Sequence, residues 1–253
     1  MSKKLKNFML RHIKKLGIKK NNCVLVYSDL SKFGFNNNSF PKIALSSLKI
    51  ILGKNGSIVM PFYLLNNKRN YVYDEKKFVL SEKIGLLTKL FCKEKNLIRS
   101  NSLIHNHIGI GPAAKILSKS SENISIGKNS DFYLLKKYNF KLLLLGCDPM
   151  QGATYLHHME SLHRVPYRKW IKLKKIKLVN NQKKLVLVKY YAKKNNKYSS
   201  NFNNFFASIT KKSALKVQKV KYGKSFCISL KNLDKITSSF LKKNKYALVR
   251  KNN

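Results

Sequence analysis

Apolar side chains in the first half of the chain recur at spacings typical of alternating helices and strands. Helical spacing occupies residues 3–16, and it returns between Pro41 and Leu52, where Gly53 is a typical helix stop. Two short apolar runs, residues 57–62 and 140–145, are typical of strands buried on both faces. This alternation predicts an α/β protein with a layered sheet and flanking helices.

The pattern changes from about residue 171 onward. Apolar runs at 176–179 and 185–191 predict a β-hairpin joined by residues 180–184. Further strand is expected within 216–229, and helices are expected at 208–214 and 230–241. We therefore expect one domain over residues 1–253, with an N-terminal helix in 1–20 and a variable, β-rich C-terminal part over 171–253. A chain of 253 residues is long enough for one substantial core.

The formal net charge of +43 suggests a nucleic-acid-binding protein as one alternative, because polycations release counterions from phosphate backbones. Of the 53 basic residues, however, six are arginine and the other 47 are lysine. Proteins that recognise specific DNA bases generally use the forked guanidinium group of arginine. We therefore expect no specific nucleic-acid partner.

Cysteine spacing and hydropathy exclude several other classes. The four cysteines form no Cys-x-x-Cys pair, which argues against a zinc site or a disulfide framework. No apolar run approaches a membrane span, and residues 1–20 lack the apolar centre of a signal peptide. We expect a cytoplasmic protein that holds no metal.

A candidate acid/base pair follows the apolar run that ends at Leu145. If the residues from Thr154 onward are helical, His157 and Glu160 lie on one face, where the carboxylate orients the imidazole. The alternatives are a solvated ion pair and, less favoured by the spacing, a zinc site, since His157, His158 and His163 lack the i, i+4 arrangement.

Six ordered blocks of the chain give this pair a context. They are the strand and Ser28-Asp29-Leu30-Ser31 turn at 24–34, the helix and Gly-Ser-Ile-Val-Met-Pro strand at 41–62, the helix at 84–91, the Arg-Ser to Gly-Pro-Ala-Ala block at 99–114, Gly127–Phe132 and Thr154–Glu160. In order and spacing they resemble the aminoglycoside 3-N-acetyltransferase family. The resemblance implies an N-acetyltransferase that uses acetyl-coenzyme A.

The resemblance also implies roles for individual residues. His157 would act as general base, and Glu160 would orient it or bind the ammonium group of the substrate. The cofactor would contact the turn after the first strand and two residues of the Arg-Ser block, namely Ser28, Asp29, Leu30, Ser31, Lys32, Arg99 and Asn106. Asn106 would donate to the thioester or to the pantetheine arm. The acceptor would contact His105, Phe62, Tyr63 and Tyr155.

The identity of the acceptor was inferred from charge. Only ten acidic residues are present, whereas a pocket for polycationic aminoglycosides is expected to offer several carboxylates. We therefore expect a biosynthetic enzyme that acylates a nucleotide-linked or glycan-precursor amino sugar. The alternatives are an aminoglycoside 3-N-acetyltransferase conferring antibiotic resistance and a non-catalytic family member that binds coenzyme A or polyanions. Assembly into a homo-oligomer is also possible in this interpretation.

Overall fold

The computed structural model describes residues 2–63, 72–74, 84–210 and 214–252. The α-helices are α1 Ser2–Lys15, α2 Phe40–Leu52, α3 Leu86–Phe91, α4 Asp131–Lys137, α5 Pro149–Gly152, α6 Tyr155–Leu162, α7 Phe202–Thr210 and α8 Leu230–Lys243, with 3-10 turns at Leu30–Phe33 and Pro112–Lys119. The strands are β1 Cys23–Ser28, β2 Ser57–Pro61, β3 Val72–Asp74, β4 Ile98–Arg99, β5 His107–Ile110, β6 Lys141–Leu145, β7 Arg168–Val179, β8 Gln182–Lys193, β9 Tyr198–Ser200, β10 Lys216–Val220, β11 Gly223–Ser229 and β12 Val249–Lys251.

The main sheet contains seven strands in the order β10-β11-β6-β1-β2-β5-β4. Strand β1 is parallel to β6 on one side and to β2 on the other, while β11 and β5 run antiparallel beyond them. The carboxyl ends of β1, β2 and β6 therefore meet at one edge of the sheet. This edge is where α/β folds generally place ligands.

Helices cover both faces of this sheet, which explains the uninterrupted apolar runs. In β6, Leu142 and Leu144 pack into the layer that contains α4, α6 and α8. The alternate residues Leu143 and Leu145 pack into the layer that contains α1 and α2. Because successive side chains of a strand point to opposite faces, a doubly covered strand must be apolar throughout. The predicted α/β layered fold is confirmed.

The predicted hairpin is present, but its loop is shorter than expected. Strands β7 and β8 pair over their full length, with Val179 opposite Gln182. Only Asn180 and Asn181 form the turn, and both have positive φ angles of 49° and 63°. Such a two-residue turn suits the twist of paired strands. This hairpin joins β3 in a three-stranded sheet, and β9 pairs with β12 in a third sheet.

One predicted helix was placed too late in the chain. Helix α7 covers Phe202–Thr210 rather than 208–214, of which residues 211–213 lie outside those described. The buried positions Phe202, Phe205, Phe206 and Ile209 have the i, i+3, i+4, i+7 spacing that decides its true extent. The other predicted helices at the two ends of the chain form as α1 and α8. No helix within the described ranges is long and apolar enough to cross a membrane.

Candidate active site

His157 and Glu160 meet where helix α6 begins, just beyond the carboxyl end of β6. One helical turn separates them, and His157 Nδ1 lies 2.6 Å from Glu160 Oε2. The Glu160 side chain is fully buried, whereas 26% of the His157 side chain is exposed. The His157 ring also packs against Phe202 of α7, with 5.0 Å between the ring centroids. The carboxylate of the pair is therefore closed to solvent, whereas the imidazole is partly accessible.

Two neighbours that follow α6 hold Glu160 in its ionised form. Arg168 Nε lies 2.6 Å from Glu160 Oε2, and the Tyr167 hydroxyl donates to Oε1 over 2.9 Å. Burial alone would raise the pKa of Glu160, but the charges of His157 and Arg168 and the hydrogen bonds from His157 and Tyr167 hold it below its ordinary value. The carboxylate is therefore negative at neutral pH.

The ionised carboxylate decides which nitrogen of His157 carries the proton. Glu160 Oε2, which only accepts, lies 2.6 Å from His157 Nδ1, and Arg168 Nη2, which only donates, lies 3.0 Å from the same nitrogen; the shorter, charge-assisted contact favours Nδ1–H. Nε2 then keeps its lone pair, and 26% of this side chain is exposed. An imidazole in this tautomer, backed by a negative charge, can take a proton from a bound group.

Arg168 and Tyr167 were missed in the sequence-based assignment. The guanidinium of Arg168 also lies 3.0 Å from His157 Nδ1 through Nη2, and its Nη1 donates to the Tyr191 carbonyl over 3.2 Å. The only sequence signal was their position a few residues after the helix that carries His157 and Glu160.

The turn after β1, predicted to hold the cofactor, lies at the same edge of the sheet. Residues Leu30–Phe33 form a 3-10 turn that Asp29 caps, and its carboxylate accepts from Ser31 N over 3.2 Å and from Ser31 Oγ over 2.5 Å. The Ser31 amide is therefore already used. The predicted contact of Ser31 with the cofactor therefore does not involve its amide, whereas the Lys32 ammonium stays available to a negative group.

A cleft of about 360 Å³ begins at this edge and extends between α7 and the β10–β11 hairpin. Lys32 and Lys224 supply positive charge, and apolar side chains such as Phe206, Val217 and Phe226 form part of its wall. Asp148 also lines the cleft, and its carboxylate caps α5 by accepting from Met150 N over 2.8 Å. The cleft thus combines an apolar wall with cations.

Cys147 lies at the same turn but is unsuited to nucleophilic chemistry. Burial raises the pKa of its thiol to about 12, and the nearby carboxylates of Asp29 and Asp148 act in the same direction. A thiol that stays protonated is a poor nucleophile. The surroundings of Cys147 therefore argue against a nucleophilic role for this thiol.

Arg99 and Asn106 support each other rather than the cleft. The Asn106 amide nitrogen donates to the Ser100 and Ser102 carbonyls over 2.8 and 2.7 Å, and its oxygen accepts from Arg99 Nε over 3.2 Å. Asn106 is completely buried. Both of its amide hydrogens are thus committed, and the predicted donation to a thioester does not fit this geometry. The Arg99 guanidinium lies over the rings of Phe62 and Tyr73.

The four predicted acceptor-binding residues separate into two groups. Phe62 and Tyr155 are fully buried, and the Tyr155 hydroxyl donates to Asp234 over 3.1 Å, so neither offers a face for a sugar to stack on. Tyr63 and His105 contact each other, with 5.1 Å between their ring centroids. Burial, and then the charge of nearby His157, lower the pKa of His105 to about 3, which keeps this ring neutral.

A second histidine–carboxylate pair lies deeper in the protein and was not predicted. His107 Nδ1 is 2.6 Å from Asp131 Oδ2, and both side chains are completely buried. The two residues are 24 positions apart, so local residue spacing does not predict their contact. His158 is also buried and accepts from Gly127 N over 3.0 Å. Among the residues described, no group of three or more histidine, cysteine or acidic side chains is arranged to hold a metal ion.

The family sequence model described as aminoglycoside 3-N-acetyltransferase matches residues 25–242. The chain belongs to the aminoglycoside 3-N-acetyltransferase family. The likeness inferred from the ordered motifs is thus confirmed, as is the assignment of the chain as an N-acetyltransferase. Nearly all of the chain, including both halves of the main sheet, lies within the match.

Solved structures of similar proteins have the same fold as this chain. The YokD protein from Bacillus subtilis is 22% identical, with 94% of this chain and 93% of that chain covered and a TM-score of 0.80. AAC-VIa bound to sisomicin is 14% identical, with 94% and 97% covered and a TM-score of 0.81. AAC-IIIb in a binary complex with CoASH is 13% identical, with 94% and 96% covered and a TM-score of 0.81. Among curated protein sequences, none matches.

Proposed function

We propose that this member of the aminoglycoside 3-N-acetyltransferase family transfers an acetyl group from acetyl-coenzyme A to an amine of an aminoglycoside. The observation that carries the proposal is the orientation of His157, whose Nδ1 faces a buried, ionised Glu160 and whose Nε2 is left for the acceptor amine. Membership of the family and the CoASH and sisomicin complexes of similar proteins support the two substrates.

His157 would supply the base that the reaction needs. An amine near neutral pH carries an extra proton, and it must lose a proton for its nitrogen to bond to the acyl carbon. In this proposal that first proton leaves to solvent, and His157 Nε2 takes a second proton from the amine nitrogen as the new carbon–nitrogen bond forms and the carbon–sulfur bond breaks. The proton on His157 then passes to the departing sulfur. Glu160 stabilises the imidazolium while it exists, because its negative charge lies 2.6 Å away.

The cleft fits the chemistry of the acetyl donor. Coenzyme A joins a long, mostly uncharged pantetheine arm to several phosphates. The apolar wall formed by Phe206, Val217 and Phe226 suits the arm, while Lys32 and Lys224 suit the phosphates. We infer that the donor lies in this cleft, with its thioester toward the edge of the sheet where α6 begins.

The local charge around the site favours a cationic acceptor more than the whole-chain charge suggested. Asp29 and Asp148 lie in the turns after β1 and β6 at this edge of the sheet, so two of only ten acidic residues lie near the site. A nucleotide-linked amino sugar remains the second candidate, favoured by the whole-chain charge alone, and the comparisons support the aminoglycoside better.

The acceptor is tested by product analysis. Purified protein is incubated with acetyl-coenzyme A and, separately, with sisomicin, gentamicin, a free amino sugar and a nucleotide-linked amino sugar, and each product is analysed by mass spectrometry. We expect one added acetyl group on the aminoglycosides and none on the nucleotide-linked sugar. The reverse result would establish the biosynthetic alternative. Heat-denatured protein controls for uncatalysed acylation.

A further inference from the structure

A buried serine connects the N-terminal helix to the catalytic edge of the sheet. Ser225 of β11 is completely buried, and its Oγ accepts a hydrogen bond from the Gly146 amide over 2.9 Å. The same Oγ lies 2.9 Å from Nε2 of His12 in α1. These contacts join three segments that are far apart in sequence. Gly146 is also the first residue after β6, in the turn that leads to the catalytic helix.

The direction of this hydrogen-bond chain follows from its donors. A backbone amide only donates, so Ser225 Oγ accepts from Gly146 and its single hydrogen is left for His12 Nε2. Burial, and then the charge of Lys15, lower the pKa of His12 to about 4, in agreement with a neutral ring that offers a lone pair. The His12 ring stacks on Phe8 and meets Phe33 edge-on, with centroid distances of 5.8 and 5.2 Å.

Gly146 holds a conformation that needs such support. Its φ angle is +66°, and a Cβ added there would lie 2.5 Å from the Asp29 carbonyl oxygen and 2.9 Å from the Phe33 ring. The residue before it, Leu145, accepts a hydrogen bond from the Asp29 amide over 3.1 Å. The turns after β1 and β6 are thereby locked against each other. Both turns contribute to the cleft, through Lys32 from one and Gly146 and Asp148 from the other.

We propose that Ser225 and His12 are positioning residues, which hold the Gly146 turn in the shape that the acetyl donor requires. Neither side chain lines the reacting centre; each acts through the next group in the chain Gly146 N–H to Ser225 Oγ–H to His12 Nε2. The N-terminal helix therefore belongs to the catalytic apparatus rather than being only a cover for the sheet. The proposal rests on the proposed function for the identity of the ligand in the cleft.

Three variants separate the hydrogen-bond chain from simple packing. Ser225→Ala removes the acceptor of the Gly146 amide. His12→Phe keeps an aromatic ring between Phe8 and Phe33 but removes the nitrogen that orients the serine hydroxyl. His12→Gln is the matched control, because its side-chain oxygen can replace Nε2 as an acceptor.

The first measurement compares the KM for the acetyl donor with the KM for the acceptor. We expect Ser225→Ala to raise the KM for acetyl-coenzyme A about tenfold, because a buried amide loses its partner, while the KM for the acceptor changes by less than about twofold. His12→Phe should give a smaller rise of the same kind, and His12→Gln should restore a nearly normal value. Unchanged KM values in folded Ser225→Ala, equal changes in both KM values, or no recovery with His12→Gln would overturn the proposal.

The second readout requires no substrate and therefore separates this proposal from the proposed function. Amide hydrogen exchange of residues 145–148 is compared in the wild type and the three variants without any ligand. We expect faster exchange of this segment, at least about fivefold for Gly146, in Ser225→Ala and His12→Phe but not in His12→Gln. If the wild type acetylates none of the acceptors, this exchange pattern still decides the positioning role. Unaltered exchange in Ser225→Ala would contradict it.

Discussion

Two histidine–carboxylate pairs in this protein have the same contact distance and very different surroundings. In both His157–Glu160 and His107–Asp131, Nδ1 lies 2.6 Å from a carboxylate oxygen. The first pair lies on one helix and exposes 26% of the histidine side chain. The second joins the start of β5 to the start of α4 and exposes neither side chain.

The difference shows that exposure and partners, rather than pairing itself, fit a histidine for chemistry. Both oxygens of Glu160 are engaged, by His157 and Arg168 at one and by Tyr167 at the other, while 26% of the His157 side chain is exposed. His107 Nε2 and Asp131 Oδ1, in contrast, are buried and have no hydrogen-bond partner among the residues described. No acceptor amine can reach His107 in this arrangement.

The largest contrast between the pairs should be seen in turnover. Glu160→Gln removes the charge that fixes the His157 tautomer and stabilises the imidazolium, and we expect kcat to fall by about 10²- to 10⁴-fold. Asp131→Asn, the matched change in the other pair, should alter the kcat of the folded protein by less than about threefold, a change worth well under 1 kcal/mol. Steady-state thiol release measures both. Similar losses in the two variants would erase the functional distinction between the pairs.

The buried His107–Asp131 pair should matter more for the free energy of unfolding than for turnover. Asp131→Asn replaces the buried carboxylate beside His107 Nδ1 with a neutral amide, so we expect it to lower the free energy of unfolding by about 1 to 3 kcal/mol. The double variant His107→Leu/Asp131→Leu should recover most of this loss, because apolar replacements leave no buried polar group without a partner. Urea unfolding followed by circular dichroism gives these values. A double variant no more stable than Asp131→Asn would show that this pair is needed for folding.

Buried histidines without a carboxylate partner provide a third case, testable by pH. Burial lowers the pKa of His105 and of His158 to about 3. The unfolded chain takes up these protons near pH 6.5, so between about pH 6.5 and 3 it binds more protons than the folded protein. The stability contributed by the two neutral rings is therefore complete above about pH 6.5 and falls progressively as the pH is lowered toward 3.

His158→Asn isolates one of these contributions. The Asn side-chain oxygen can take the place of Nδ1 as the acceptor for the Gly127 amide without gaining a proton in acid. We expect a shallower decline of the urea midpoint between about pH 6.5 and 4 than in the wild type. An unchanged slope would mean that His158 is protonated in the folded protein.

The smallest effect is expected at a histidine that is neither buried nor paired with a carboxylate. His163 Nε2 lies 3.0 Å from Ser238 Oγ, and the contact is only partly buried. We expect His163→Ala to lower the free energy of unfolding by less than about 1 kcal/mol and to leave kcat unchanged. Any larger loss of activity would place His163 in the catalytic arrangement.

Local sequence patterns predicted those parts of the site that depend on neighbours in the chain. Helical spacing placed His157 and Glu160 on one face, and the apolar run before them predicted β6. The partners of these residues were harder to identify. Arg168 is the first residue of β7, and nothing in its local pattern shows that the guanidinium turns back toward Glu160.

Contacts that depend on the order of the strands in the sheet could not be predicted from the spacing of residues in the sequence. The sheet places β11 beside β6, which brings Ser225 to Gly146, and α1 packs close enough to bring His12 to Ser225. Burial was equally hidden: Asn106 and Tyr155 were expected in the site, but neither is exposed. The whole-chain charge likewise did not show that Asp29 and Asp148 lie beside the site.

The central claim, that His157 is the general base, is tested most directly by thiol release from acetyl-coenzyme A with sisomicin as acceptor, comparing the wild type with His157→Ala. We expect the variant to keep the wild-type circular dichroism spectrum and to lose about 10²- to 10⁴-fold in kcat at neutral pH. At high pH, where the acceptor amine is already deprotonated, part of this loss should be recovered. A folded His157→Ala variant that turns over at the wild-type rate at neutral pH would contradict the claim.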